Sequence, residues 1–305
     1  MLDVLILMAT HNGARFLIDQ FASIAAQSHT AWRLLISDDA STDHSRQVID
    51  QFIRARPPGQ VALLQGPGKG ATKNFRSLLR RADLENSFLA FSDQDDVWDR
   101  DHLSRALDSL SRLSDPLAIY GCRMKICDES LKPVRLSALP SAPLGFRNAL
   151  VQNMLSGNTM VLTPPAAHLL QRAERRTGPM PVHDWWAYQM ITGAGGRAVL
   201  DPVPGILYRQ HDSNVIGMGG LKRLPARIRR HLGGRYRSWA QQNSAALGVC
   251  ADLLTPENRR SLDAFTKALS APLPQKIAQL RRSGIYYQTR RDHLAFWLLV
   301  ALGRF

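Results

Sequence analysis

Ser92-Asp93-Gln94-Asp95-Asp96-Val97-Trp98 places three carboxylates within four positions, directly after the apolar run Phe88-Leu89-Ala90-Phe91. A buried strand that ends in such a cluster brings negative charge to a sheet edge. That charge is costly unless a cation shares it. The carboxylates of an Asp-x-Asp pair can meet one hard divalent ion that also holds a diphosphate. The competing reading is a solvated acidic turn that caps the next helix, since Asp is common at N-caps. A second acidic pair, Asp38-Asp39, follows another apolar run, Trp32-Arg33-Leu34-Leu35-Ile36.

The elements that must position these residues alternate through the first half of the chain. Val4 to Ala9 is expected as a buried strand, and Arg15 to Gln27 has helical spacing at Phe16, Leu17, Phe21, Ile24 and Ala25. Trp32 to Ile36 is a second strand. Ser41 or Thr42 offers an N-cap for a helix over 43–55. Val61 to Leu64 is a third strand, followed by Gly66-Pro67-Gly68-Lys69-Gly70, a helix over 74–82 and the strand Phe88 to Phe91. This β-α-β-α order implies a parallel sheet covered by helices, hence an α/β fold. Such sheets bind ligands at the carboxyl ends of their strands. Both acidic groups sit there on separate strands, which weakens the capping reading for the cluster as a whole. Further on, Ala118 to Met124 and Thr159 to Leu162 read as strands, Pro164-Pro165 as a stop, and 133–143 as loop.

Composition sets outer bounds. The chain has 305 residues, 45% hydrophobic and 21% charged, as expected of a folded globular protein. No apolar run approaches the roughly 20 residues of a membrane span. Met1-Leu2-Asp3-Val4 has no basic n-region, so no secretory signal is expected. Cys122, Cys127 and Cys250 have no zinc spacing, and cytoplasmic thiols are expected. The glycine-rich segment lacks Walker spacing. The net charge of +14 is uneven: residues 219–305 hold 16 Lys+Arg against 4 Asp+Glu. A nearly neutral front and a basic tail suggest two modules, 1–218 and 219–305.

Ala9-Thr10-His11-Asn12-Gly13, Ile36-Ser37-Asp38-Asp39-Ala40-Ser41-Thr42-Asp43 and the acidic motif at 92–98 together resemble family-2 glycosyltransferases of GT-A fold. His183-Asp184-Trp185-Trp186 and Tyr208-Arg209-Gln210-His211-Asp212-Ser213-Asn214 extend the likeness toward bacterial rhamnosyltransferases. The resemblance covers roughly residues 2–216. It implies a nucleotide-diphosphate-sugar donor, dTDP- or UDP-linked, and inverting transfer to a hydroxyl of a saccharide or lipid-linked saccharide. Thr10, His11 and Asn12 match positions at the nucleotide. Asp39 matches the acceptor of a pyrimidine N3–H, and Asp38 a supporting carboxylate. Asp93 matches the ribose and metal position, Asp95 the direct ligand of Mn2+ or Mg2+, and His211 a further ligand. Asp96 matches a third ligand or the cap of a helix over 100–113, the cap being preferred. Asp184 matches the catalytic base, with Trp185 and Trp186 as an apolar wall that raises its pKa or as core packing. Asn74, Lys69 and Lys73 are further candidates near the donor, Gly157-Asn158-Thr159 resembles the segment bordering the acceptor side or is a turn before a buried strand, and Arg209 is left open.

The tail has no counterpart in that resemblance. Lys222-Arg223, Arg227, Arg229-Arg230, Arg235 and Arg237 alternate with apolar and aromatic residues. Three readings compete: a helical subdomain with solvated charges, a nucleic-acid surface, and a helix on an anionic membrane. Peripheral contact with the cytoplasmic face of the inner membrane is the preferred expectation, with no nucleic-acid partner. Phe296 to Leu302 is too short to span and would anchor or pack. Rival readings of the whole chain are a UDP-hexose or UDP-N-acetylhexosamine transferase, a nucleotidyltransferase and an inactive GT-A binding module.

Overall fold

The structure is a computed structural model and describes residues 2–211 and 235–305. The chain divides into two units, and the division in space is not one cut of the chain. The first unit comprises Met1–Leu139, Leu155–Arg175 and Gly196–His211. It alternates β1 (Val4–Thr10), α1 (Ala14–Ala25), β2 (Trp32–Asp38), α2 (Ser45–Arg54), β3 (Val61–Gln65), α3 (Ala71–Arg81) and β4 (Phe88–Ser92). After the acidic turn come β5 (Val97–Trp98), α4 (His102–Ser111), β6 (Ala118–Cys127) and β7 (Pro133–Leu136). The short β8 (Val161–Leu162), α6 (Pro164–Glu174) and β9 (Arg197–Arg209) complete it.

Its sheet runs β3-β2-β1-β4-β8-β6-β9-β5, with β7 paired to β6. Strands β1 to β4 are parallel neighbours, and β1 and β4 are buried along most of their length, as continuous apolar runs require. Register aligns their ends: Thr10 lies opposite Asp38, Asp38 opposite Gln65, and Met8 opposite Ser92. β8 runs antiparallel between β4 and β6, so β6 points the same way as β4. β9 pairs parallel with β6, with Cys127 opposite Arg209. The carboxyl ends of β1, β2, β3, β4, β6 and β9 therefore meet at one edge. That topology brings the residues after β4 and after β9 together although more than a hundred positions separate them.

Several local expectations change. Neither Ser41 nor Thr42 caps α2, whose N-cap is His44 without a side-chain bond; the Ser41 hydroxyl donates instead to Asp38. Asp96 caps nothing, because α4 starts at His102 behind Asp101. β8 ends at Leu162, before Pro164-Pro165 as expected, and the two prolines then open α6, where a missing N–H is not needed. Residues Pro133–Leu136, expected as loop, form an edge strand. Of the expected strand over 159–162 only Val161–Leu162 pairs; Gly157–Thr159 is a 3-10 turn.

The second unit comprises Pro140–Met154, Arg176–Gly195 and Asp212–Phe305. It contains α5 (Phe146–Ala149), α7 (His183–Gly193), α8 (Arg235–Val249), α9 (Pro256–Ser270), α10 (Leu273–Ser283) and α11 (Arg290–Ala301). Residues 185–193 of α7 are all buried, so this stretch has no exposed face and is covered all round. That explains why two middle segments join the C-terminal helices. Trp185 Nε1 and Gln189 Nε2 both donate to the Ala149 carbonyl, at 2.7 and 3.0 Å. Among the described residues no helix is long and apolar enough to cross a membrane. The basic run Lys222–Arg230 and Asp212-Ser213-Asn214 lie outside the described residues.

One core group makes acid stability testable. His102 is fully buried against the Trp98 ring, 4.6 Å between centroids, and its Nε2 has no hydrogen-bond partner among the described residues. Burial, followed by the nearby Arg105 charge, pushes its pKa down to about 3. Its folded pKa lies below the unfolded one, so the unfolded state takes up the proton first and stability falls as pH drops below about 6.5. At about 1.4 kcal/mol per pH unit, acidification to pH 5 should cost about 2 kcal/mol. Urea denaturation at pH 7 and pH 5 should show this loss, and His102→Gln should show a smaller one.

Candidate active site

The loop after β1 is stitched to the loop after β2. Thr10 Oγ1 donates to Asp38 Oδ1 at 3.3 Å, and His11 Nδ1 lies 2.9 Å from the Asp39 carbonyl. Asn12 sits at φ +47°, a left-handed conformation that Asn tolerates better than most residues. Its N–H donates to Ser41 Oγ at 2.9 Å and its Oδ1 accepts from the Thr42 N–H at 2.8 Å. His11 and Asn12 are exposed and Thr10 is buried. The Gln94 amide brackets His11, accepting from its N–H at 2.9 Å and donating to its carbonyl at 3.0 Å. A Cβ at Gly13 would lie 2.2 Å from Gln94 Oε1, so glycine is needed for this approach. Gln94 had no role in the sequence reading, where it stood only as the spacer between two aspartates.

Asp38 and Asp39 take different parts. Asp38 is fully buried, with Ser41 Oγ at 2.5 Å and Arg46 Nε at 2.9 Å. Burial alone would raise its carboxyl, but the Ser41 and Arg46 bonds hold it below the usual carboxylate range. Asp39 instead faces the glycine-rich segment after β3. Its Oδ1 accepts the Gly68 N–H at 2.6 Å and its Oδ2 the Gly70 N–H at 2.7 Å. A Cβ at Gly66 would lie 2.8 Å from both Asp39 Oδ1 and Asn74 Oδ1, so the chain passes this point only as glycine. Asn74 is 1% exposed and forms a closed pair with Ser37, accepting from its hydroxyl at 2.5 Å and donating to its carbonyl at 2.8 Å. It underlies the loop, and Lys69 and Lys73 are exposed.

At the acidic turn, the His211 Nε2 lies 2.7 Å from Asp95 Oδ2. The His211 ring stacks on Phe16 of α1 at 4.7 Å, and the Arg209 guanidinium lies 4.8 Å from the same ring centroid. Arg209, 5% exposed, donates to the Asp95 carbonyl at 2.9 Å, the Glu129 carbonyl at 2.7 Å and Asp19 Oδ2 at 2.7 Å. Its backbone N–H donates to Asp96 Oδ1 at 3.2 Å. Asp96 Oδ2 accepts from Asn158 Nδ2 at 2.5 Å. Burial first, then the Asp95 and Asp93 charges, push the Asp96 carboxyl well above its usual range. Of the three carboxylates in the turn, Asp93 and Asp95 are half-buried and Asp96 is sealed. Asn158 thus braces this turn, a contact that its place before β8 did not announce.

Asp184 belongs to the second unit, in the first turn of α7. It is half-buried, and its Oδ1 accepts the Trp185 N–H at 2.5 Å. Trp185 and Trp186 are 4% and 1% exposed, so both pack in the core of that unit.

A mostly parallel sheet with carboxylates and a histidine gathered at its carboxyl edge is an architecture for handling nucleotide-linked groups. Residues 5–178 match the family model described as glycosyl transferase family 2. The chain belongs to that family, and its sheet is the GT-A fold that the resemblance implied. It is 27% identical over 233 residues to the dTDP-rhamnosyl transferase RfbG of Shigella flexneri, covering 69% of this chain and 73% of the relative. Over 96 residues it is 31% identical to the UDP-Glc:alpha-D-GlcNAc-diphosphoundecaprenol beta-1,3-glucosyltransferase WfgD of Escherichia coli, covering 31% of this chain and 36% of the relative. Among solved structures, S. aureus TarS 1–349 in complex with UDP-GlcNAc superposes with a TM-score of 0.55 at 15% identity, covering 94% and 93% of the two chains. The mannosyltransferase PcManGT from Pyrobaculum calidifontis, in complex with GDP-Man and Mn2+, gives 0.51 at 18% identity, covering 92% and 85%. At these identities the structural likeness shows the fold.

The Asp39 geometry carries its own test. Asp39→Ala removes both acceptors of the glycine-rich loop. Hydrogen exchange at the Gly68 and Gly70 amides should speed by about tenfold or more, the loss expected for one or two charge-assisted bonds. Unchanged protection there would mean that other contacts hold the loop.

Proposed function

We propose that this glycosyltransferase is a metal-dependent inverting enzyme that transfers rhamnose from dTDP-rhamnose to a saccharide or lipid-linked saccharide acceptor in bacterial surface polysaccharide biosynthesis. The observation that carries the reading is the approach of His211 to Asp95 at the carboxyl edge of the sheet. A carboxylate and an imidazole make a donor pair suited to Mn2+ more than to Mg2+. Among the described residues no three His, Cys, Asp or Glu side chains gather as a metal cluster. Asp95 and His211, with Asp93 two residues before Asp95, would hold such an ion. Such an ion, when bound, offsets charge on the leaving diphosphate.

The chain's own residues supply the rest. Thr10, His11 and Asn12 border the nucleotide, and Asp39 accepts the base N3–H. A carboxylate has about four acceptor sites, so Asp39 retains capacity beyond its two loop amides. A thymine or uracil base carries that N3–H, which supports dTDP or UDP donors. Asn74 acts from below, through Ser37 and the loop. Asp184 takes the acceptor hydroxyl proton as that oxygen bonds to the anomeric carbon and the bond to the diphosphate breaks on the opposite face. Similarity to RfbG supports the rhamnosyl donor. The acceptor in the name of WfgD supports a lipid-linked saccharide. A UDP-hexose or UDP-N-acetylhexosamine donor is the second reading, favoured by the donors named for WfgD and TarS.

Thermal-shift measurements with nucleotide sugars, with and without Mn2+, decide between donors. The preferred donor at about 100-fold excess over its Kd should raise the melting temperature by about 4 °C, only with metal. Asp95→Ala should lose the metal-dependent part. No stabilisation by any dTDP or UDP compound with Mn2+ would overturn the donor reading. Separately, Asp184→Asn should lower kcat by at least about a hundredfold while donor stabilisation persists. Loss of both would remove the assignment of Asp184 as base.

A further inference from the structure

The C-terminal helix α11 turns its apolar residues in two directions. Phe296 and Val300 are buried, and Phe296 packs on Phe305 and Tyr287 at centroid distances of 4.8 and 5.3 Å. This inner face fixes how the helix is rotated. The opposite face carries Leu294, Leu298 and Leu302, which are 69%, 61% and 62% exposed. Spaced by four, they form one stripe along the helix. Burying only one apolar face would leave the other polar in a helix whose outer side meets water alone. Here the outer side is leucine.

Charge brackets the stripe. Arg290 and Arg291 stand exposed at the start of the helix and Arg304 just beyond its end. Residues 281–305 contain five arginines and one acid, Asp292. Asp292 is tied to the N-cap, where its N–H donates to Thr289 Oγ1 at 3.0 Å and its Oδ2 accepts from the same hydroxyl at 2.8 Å. The exposed face therefore presents leucines between cations. At 1.5 Å per residue the 12-residue helix is about 18 Å long, well short of the roughly 30 Å apolar thickness of a bilayer. Such a helix can lie in the interface plane with its leucines among acyl chains and its arginines at headgroup phosphates.

We infer that Leu294, Leu298 and Leu302, flanked by Arg290, Arg291 and Arg304, form a docking face for an anionic lipid surface. The charge complementarity selects lipid over a second copy of this chain, which would bring the same arginines face to face. This reading goes beyond the transfer reaction and does not depend on the donor. It also locates a membrane contact within the described part of the tail, apart from the basic run at 222–230.

Flotation of the full-length protein with vesicles tests it. Vesicles of phosphatidylcholine with phosphatidylglycerol should carry the protein, and phosphatidylcholine alone should not. The triple variant Leu294→Gln, Leu298→Gln, Leu302→Gln should reduce recovery with anionic vesicles by about tenfold or more, with an unchanged melting temperature. Arg290→Glu with Arg291→Glu should also weaken binding, and 0.5 M salt should weaken wild-type binding, about as a screened surface attraction does. Flotation of the triple variant at the wild-type level overturns the inference. So does a wild-type protein that ignores anionic vesicles but forms a dimer that the triple variant dissociates, which would make the stripe a self-interface. Donor thermal shifts on the triple variant read the transfer machinery separately, so either failure leaves the other proposal standing.

Discussion

A carboxyl group with no access to water, Asp96, ties together the parts of the chain that form the sheet's working edge. It receives the Asn158 side-chain amide on one oxygen and the Arg209 backbone N–H on the other. An unbonded polar group at that depth would cost several kcal/mol. The turn after β4, the 3-10 turn before β8 and the end of β9 must therefore stay in register with one another. Asp93 and Asp95 remain partly open because Asp96 anchors the turn that carries them. Its own carboxyl is pushed upward by burial and by those two neighbours, which fits a buttress rather than an exposed anion.

Two further contacts extend this framework. Phe16 offers one ring to both Arg209 and His211, so α1 fixes the chain as it leaves the last strand. Across the edge, Gln94 clamps the backbone of His11 and so joins the acidic turn to the loop after β1. Asp38 and Asp39 repeat the division of labour seen at Asp96 and Asp95. The first is sealed and pulls its loop together through Ser41 and Arg46; the second engages a loop. In both pairs, a carboxylate that is saturated by internal donors holds its neighbour in place.

Much of the architecture could be read before any coordinates. Strands β1 and β4 announce themselves because both faces are covered, which demands unbroken apolar runs. The strand–helix alternation fixes their parallel order and hence the edge where Asp39 and Asp95 appear. What escaped was local. Ser41 and Asp96 look like helix caps, since a capping side chain and a buried brace are the same residue types. Residues 133–136 pair with β6 without a period that marks them as strand. Gln94 and Asn158 carry no charge and belong to no spacing rule, so nothing local distinguishes a brace from a spacer.

The extent of the second unit shows the same limit on a larger scale. A charge shift near residue 219 is a visible boundary, yet α7 joins the C-terminal helices because residues 185–193 are buried on every side and need cover. By itself the sequence determined the fold class, the glycosyltransferase motifs and the acidic edge, because strand burial and carboxylate placement are written in residue type and order. Long-range packing was needed to make Asp96 the sealed brace between Asn158 and Arg209, to set Asp39 against the glycine-rich loop, and to leave leucines on the outside of the last helix. Those outcomes depend on which residues from distant segments share one small volume, and residue type and spacing do not encode that.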